Sequence, residues 1–141
     1  SKDLTTSQID RQNILNNDLA VNEIQNQTGI QGIIFDGRLR FTKSMVATYF
    51  NVDVRTIERY VSDNSDEITA NGYEILKGKK LKEFMDCVIA QDVPDINVGN
   101  ISNRTPQIAI FDFKAFLNMA MLLAESENAK VLRQIMLDMQ I

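Results

Sequence analysis

The stretch Thr42-Lys-Ser-Met-Val-Ala-Thr-Tyr-Phe-Asn-Val-Asp-Val-Arg-Thr-Ile-Glu-Arg-Tyr-Val61 reads as two short helices joined by a tight turn. Thr42 is placed to cap the first helix, because its hydroxyl can accept from an unpaired N–H of the first turn. Val46, Tyr49 and Phe50 stand at i, i+3 and i+4 and so share a face. Ala47 is small where a second helix must cross closely. Asn51 falls at the turn and tolerates the left-handed conformation. Asp53 is placed to cap the second helix, whose buried side is carried by Ile57, Tyr60 and Val61. Arg55 and Arg59, four residues apart, share the other face, flanked by Val54, Glu58 and Ser62.

This spacing resembles the helix-turn-helix of many bacterial and phage regulators, with Asn51 where glycine is more usual. In such a pair the N-terminal part of the second helix faces base edges in the major groove of double-stranded DNA. Arg55 and Arg59 suit bidentate contact with guanine or a grip on phosphate. Thr42, Lys43, Val54 and Thr56 complete the expected contact set, with Lys43 and Thr56 read as phosphate contacts. The plainer reading is a solvated helix pair in which Asp63 neutralises Arg59.

Outward from this core the chain alternates short elements. Residues 1–17 are rich in Asn, Gln, Thr and Ser and predict a frayed, partly helical start. Asp18 is placed to cap a short helix through Gln27 that Gly29 ends. Ile33-Ile-Phe35, Asp36-Gly37 and Arg38-Leu-Arg-Phe41 predict a hairpin with a two-residue turn, Arg38 and Arg40 sharing the face away from the core, either solvated or as a second phosphate contact beside the helix-turn-helix. Residues 63–71 read as a polar loop with one helical turn, and residues 73–76 as a strand. Lys77, Lys79 and Lys80 belong to a basic turn leading into a helix of Leu81, Phe84, Met85, Val88 and Ile89; in a winged arrangement they would meet the DNA backbone. Their plainer reading is a solvated lysine run. Residues 92–106, holding both prolines, read as an irregular loop. Gln107-Ile-Ala-Ile-Phe111 is a strand, and two helices capped by Asp112 and Ser126 follow.

The 141 residues suit one compact domain with an appendage. The expected divisions are a polar extension (1–29), a winged helix-turn-helix region (30–91), the loop (92–106), and a strand with two helices completing the core or a dimer contact (107–141). The expected class is α+β: a winged-helix-like helix-turn-helix with a small β-hairpin or sheet and C-terminal helices. The net charge is −4. Residues 38–82, however, hold nine basic and six acidic residues, leaving −7 for the rest. Affinity for DNA follows the local basic face rather than the total.

Histidine is absent, which excludes Ser-His, Cys-His and His-based metal sites within the chain. No enzyme activity, metal or cofactor is expected. The lone Cys87 excludes an internal disulfide and fits a reducing cytoplasm. No apolar run approaches the roughly 18 residues of a membrane span, and no basic-then-apolar leader is present.

In order, these elements resemble the N-terminal DNA-binding modules of RhuM-type virulence-associated proteins, and more distantly Bro-N and KilA-N modules. The likeness is carried by Gly32-Ile-Ile-Phe-Asp-Gly37, Phe41-Thr-Lys-Ser-Met-Val-Ala47, Asn51-Val-Asp-Val-Arg-Thr-Ile57, Ile110-Phe-Asp-Phe-Lys-Ala-Phe-Leu117 and Ala129-Lys-Val-Leu-Arg133. It implies transcription regulation through double-stranded DNA and a C-terminal effector domain beyond the module. A homodimer is the further expectation, since helix-turn-helix proteins commonly read two half-sites. The apolar end at Ile141 fits either a shortened chain or a dimer contact. The alternative is an interaction module that docks a partner through its Met-rich helices.

Overall fold

A computed structural model describes residues 3–91 and 106–139. The irregular stretch expected at residues 92–106 therefore lies, Pro106 apart, outside the described residues. The elements run α1 (Gln8–Leu15), α2 (Asp18–Thr28), β1 (Ile33–Phe35), β2 (Arg38–Thr42), α3 (Lys43–Phe50), α4 (Val54–Asp63), α5 (Ser65–Ala70), β3 (Tyr73–Lys77), α6 (Gly78–Gln91), β4 (Gln107–Asp112), α7 (Phe113–Leu122) and α8 (Glu127–Asp138). The class is α+β. The strands form one antiparallel sheet in the order β1-β2-β4-β3.

The hairpin β1–β2 closes through Asp36 (φ 53°) and Gly37 (φ 71°), two left-handed residues in succession. That is the requirement of a two-residue turn whose twist matches its strands. β4 then pairs with both β2 and β3, through Phe41↔Phe111 and Tyr73↔Phe111. Among the described residues no hairpin follows α4: β3 leads directly into α6, and its strand partner is β4. Lys77 is the last residue of β3, and Lys79 and Lys80 lie in the first turn of α6.

Alternation along the strands assigns their side chains to two faces. Phe35 pairs across from Arg38, so Phe35, Arg38 and Arg40 share a face, and Phe35 meets Phe84 of α6 edge-on at 5.3 Å. Phe41 points the other way and stacks on Phe116 of α7 at 4.5 Å. Helices therefore cover the sheet on both sides.

This corrects the expectation for Arg40, which is not solvated but fully buried. Its Nη1 donates to Glu74 at 3.2 Å, and its Nε lies 2.7 Å from Asp112 Oδ1 in a geometry too bent for a straight hydrogen bond. Its guanidinium also lies over the Phe35 ring. Arg38 closes the cluster, 2.8 Å from Asp112 Oδ2. Burial pushes the Asp112 carboxyl above its usual range despite the two arginines. Asp112 is the residue before α7, yet its carboxylate makes no capping bond there. Gly72 (φ +108°) lies so close that a Cβ would fall 2.6 Å from the Asp112 side chain.

The N-terminal segment is also more ordered than its composition suggests. Leu4 and Leu15 are in the core. Arg11 is buried and forms a bidentate pair with Glu67 of α5, Nε to Oε2 at 2.7 Å and Nη2 to Oε1 at 2.8 Å. Asn118 of α7 donates to Glu67 Oε2 at 2.6 Å, and Asn71 donates to Asn118 Oδ1 at 2.9 Å. The helical turn expected within residues 63–71 is α5, which anchors α1 to α7.

The methionines of the closing helices face inward. Met119 and Met121 are fully buried and Met136 is 3% exposed. They fill the core, as adaptable side chains do. Ile89, expected on the buried side of α6, is 75% exposed. No helix among the described residues is long and apolar enough to cross a membrane.

Candidate nucleic-acid interface

The two helices of the opening motif form where the sequence places them. Thr42 Oγ1 accepts from the Met45 N–H at 3.2 Å and starts α3. Asn51 adopts the left-handed conformation (φ 54°, ψ 49°) and ends it. The Val52 N–H returns to the Ala47 carbonyl at 3.0 Å, closing the turn. Asp53 Oδ1 accepts from the Arg55 N–H at 2.8 Å and starts α4. That amide and the Arg55 guanidinium hold the Asp53 carboxyl below its usual value.

The pair is fixed from inside by its apolar residues. Val46, Ala47, Phe50, Ile57 and Val61 are buried. Val52 and Tyr60 are half-buried. Phe50 stacks on Phe116 at 5.0 Å, and Tyr49 meets that ring edge-on at 5.2 Å while staying partly exposed. The C-terminal carbonyls of α3 are taken by the start of α8: Ser126 Oγ donates to Phe50 O at 2.7 Å, and Asn128 Nδ2 donates to Tyr49 O at 2.8 Å. Ser126 Oγ also accepts from the Ala129 N–H at 3.1 Å, capping α8. One hydroxyl therefore joins the end of α3 to the start of α8. Ser126→Ala should lower stability by about 1–2 kcal/mol, read as a shift in denaturant midpoint at constant m. A loss below about 0.3 kcal/mol would remove this hydroxyl from the account of what holds the turn.

With Ile57 and Val61 inward, the exposed side of α4 presents Val54, Arg55, Glu58, Arg59 and Ser62. Arg55 extends into solvent, its side chain 88% exposed. Thr56 is half-buried. Thr42 faces inward at 2% exposure, which leaves it a cap rather than a surface contact. Lys77, Lys79 and Lys80 are exposed at one end of the sheet, on the β3–α6 junction rather than on a hairpin beside α4.

Carboxylates occupy this face too. Lys43 Nζ lies 3.5 Å from Glu58, Arg55 Nε 3.3 Å from Asp53, and Arg59 Nη2 3.4 Å from Glu125. Arg59 thus pairs not with Asp63, as its spacing suggested, but with a residue of the α7–α8 connection. It also lies over the Tyr60 ring, 5.2 Å from the centroid. Burial, then the hydrogen bond and charge of Glu125, raise the Tyr60 hydroxyl above its usual value. Glu125 therefore holds two consecutive residues of α4. No local signal announced it, since the contact spans 66 residues of sequence. The groove outside the pair is lined by Ser44, Ala47, Thr48, Asn51, Val52, Asp53 and Val54. Comparison with protein-family models, with curated proteins and with solved structures gives no match to this chain.

Proposed function

We propose that α3 and α4 read double-stranded DNA as a helix-turn-helix, with α4 entering the major groove. The observation that carries the reading is the joint geometry of the turn. A left-handed Asn51, an Asp53 cap and inward Ile57 and Val61 together set Arg55 and Arg59 outward on one helix. Arg55 and Arg59 then contact base edges, and Lys43 and Thr56 the backbone. In this winged-helix-like reading the β3–α6 junction, with Lys77, Lys79 and Lys80, takes the place of a wing. The chain is a binder rather than a catalyst, a cytoplasmic regulatory module akin to RhuM-type proteins. Homodimerisation and a C-terminal effector domain belong to the same proposal.

The test is anisotropy binding to a randomised duplex pool at low and near-physiological salt, followed by selection and sequencing of the bound fraction. The chain should enrich a motif. Arg55→Ala or Arg59→Ala should weaken binding to that motif roughly 5- to 150-fold, the equivalent of one lost bidentate base contact. Absence of binding at low salt, or the same motif enriched by both variants, would overturn the reading. One observation favours a second reading, an interaction module that docks a protein partner: each cation on the face already has a carboxylate. In that case the arginine variants leave partner binding intact.

A further inference from the structure

The basic residues divide by whether they have a carboxylate. Those of the helix-turn-helix are paired, and so are Arg11, Arg38, Arg40 and Lys114. Arg133 donates to the Ala120 and Leu123 carbonyls at the end of α7. Among the described residues, Lys130 on α8 and the cluster Lys77, Lys79, Lys80 and Lys82 have no carboxylate within ion-pair distance. All four lysines of the cluster are exposed. Leu81 and Phe84 take the buried side of α6, so the helix turns its lysines outward. Gly78 (φ 55°) lets the chain pass from strand to helix without a loop, which crowds them together.

The cluster shares an end of the sheet with the start of the helix-turn-helix. β2 and β3 both run antiparallel to β4, so Thr42 and Lys77 end their strands at the same side. Thr42 pairs with Ile110 and Lys77 with Gln107, three residues further along. At about 3.3 Å per residue and 4.8 Å per strand, their Cα atoms lie roughly 14 Å apart. That distance is comparable with the ~12 Å width of the major groove, before the reach of a lysine side chain is added.

We infer that this lysine cluster carries the salt-dependent, sequence-independent part of duplex DNA binding, while the paired cations of the helix-turn-helix carry selectivity at little cost in salt. The inference rests on the DNA-reading function proposed above. A lysine with no partner that neutralises a phosphate releases a condensed cation, and affinity then falls with salt. Arg59 must first leave Glu125. It releases a cation from the DNA, but the freed carboxylate recruits one, so the net release is near zero. The same exchange penalises a wrong sequence, where Arg59 loses Glu125 and gains no matching base, which is how an unfavourable element creates discrimination.

The experiment is anisotropy titration of the full chain against a random-sequence duplex across a series of salt concentrations. Replacing Lys77, Lys79, Lys80 and Lys82 together by glutamine should remove most of the slope of log K against log salt, about three and a half units if each lysine meets a phosphate. Arg55→Gln with Arg59→Gln should change the slope by less than about one unit. Glu125→Gln should steepen it by about one unit, because Arg59 then acts as a free cation. A thermal melt checks that the lysine variant remains folded. A lysine variant that keeps most of the slope, or an arginine pair that removes most of it, would overturn the inference while leaving DNA binding in place. A wild-type chain that binds no duplex at low salt would overturn the DNA-reading function itself, and this inference with it.

Discussion

Arg11→Met should cost about 3–5 kcal/mol of stability, a fall in melting temperature of roughly 10 °C or more. The reason is the group left behind. Glu67 has a side chain only 6% exposed, and Arg11 supplies both of the parallel bonds that compensate its burial. Arg11 Nη1 also donates to the Leu4 carbonyl at 2.8 Å, which ties down the segment before α1. Burial alone would raise the Glu67 carboxyl, but the bonds from Arg11 and Asn118 outweigh it and hold the carboxyl below its usual 4.5. A carboxyl depressed in the folded state contributes stability that is present above its unfolded value and lost as pH falls through the folded one. Without Arg11 the balance reverses: burial then favours the neutral acid, and protonation relieves the variant. The gap between wild type and Arg11→Met should therefore narrow as the pH falls, first above 4.5 as the variant's raised carboxyl takes up its proton and then below 4.5 as the wild-type pair is lost. Adding Glu67→Gln to Arg11→Met should recover part of the loss at neutral pH, since a neutral amide replaces the stranded charge. Denaturant titration at pH 7 and pH 4 decides it. A cost below about 1 kcal/mol would place α1 outside the cooperative unit.

The Arg11–Glu67 pair also marks where reading the sequence ends. Helix starts were legible at Thr42, Asp53 and Ser126, each of which accepts a bond from an amide two or three residues on, but not at Ser7 and Asn17, which cap α1 and α2 in the same way. The Asp-Gly turn was legible for the same reason, because its two left-handed residues answer a local demand. Partners distant in sequence were not. Arg11 lies in a polar segment whose composition suggests fraying, and nothing near it announces a carboxylate 56 residues away. Arg40 failed differently. Alternation along β2 correctly puts Arg38 and Arg40 on one face, but period two cannot say whether that face is wet. Here α6 covers one side of the sheet and α7 the other, so Arg40 lies under a helix while the Arg38 side chain stays 58% exposed.

In the candidate interface the cations were legible and the anions that balance them only in part. Asp53 was readable as a cap, and its second role as partner of Arg55 follows from adjacency. Glu58 was seen as a flank of the arginines, but its reach to Lys43 depends on the crossing of α3 and α4. Glu125 comes from a connection that the sheet, α7 and α8 together bring against α4. The electrostatics of the face are thus a tertiary property, although each residue contributing to them is plain in the sequence.

Phe116→Ala should cost about 3–5 kcal/mol, the usual range for truncating a buried phenylalanine. Its ring is fully buried and stacks on Phe41 at 4.5 Å, Phe50 at 5.0 Å and Phe113 at 5.9 Å, with Tyr49 edge-on at 5.2 Å. These neighbours belong to β2, α3 and α7, so one side chain joins the first helix of the helix-turn-helix to the sheet. Truncation removes the shared contact and leaves a cavity between β2 and α3. The loss should be uneven. α6 packs on the opposite face of the sheet through Phe84 and Phe35, which Phe116 does not touch. In native-state hydrogen exchange, the amides of α3 should lose more opening free energy than those of α6. Phe116→Leu, which keeps much of the volume, should cost about 1–2 kcal/mol and show the same asymmetry in smaller degree. Equal losses in α3 and α6 would mean that the molecule opens only as a whole and that Phe116 serves the core at large. Greater loss in α3 would make the placement of Arg55 and Arg59 depend on an aromatic stack buried beneath them.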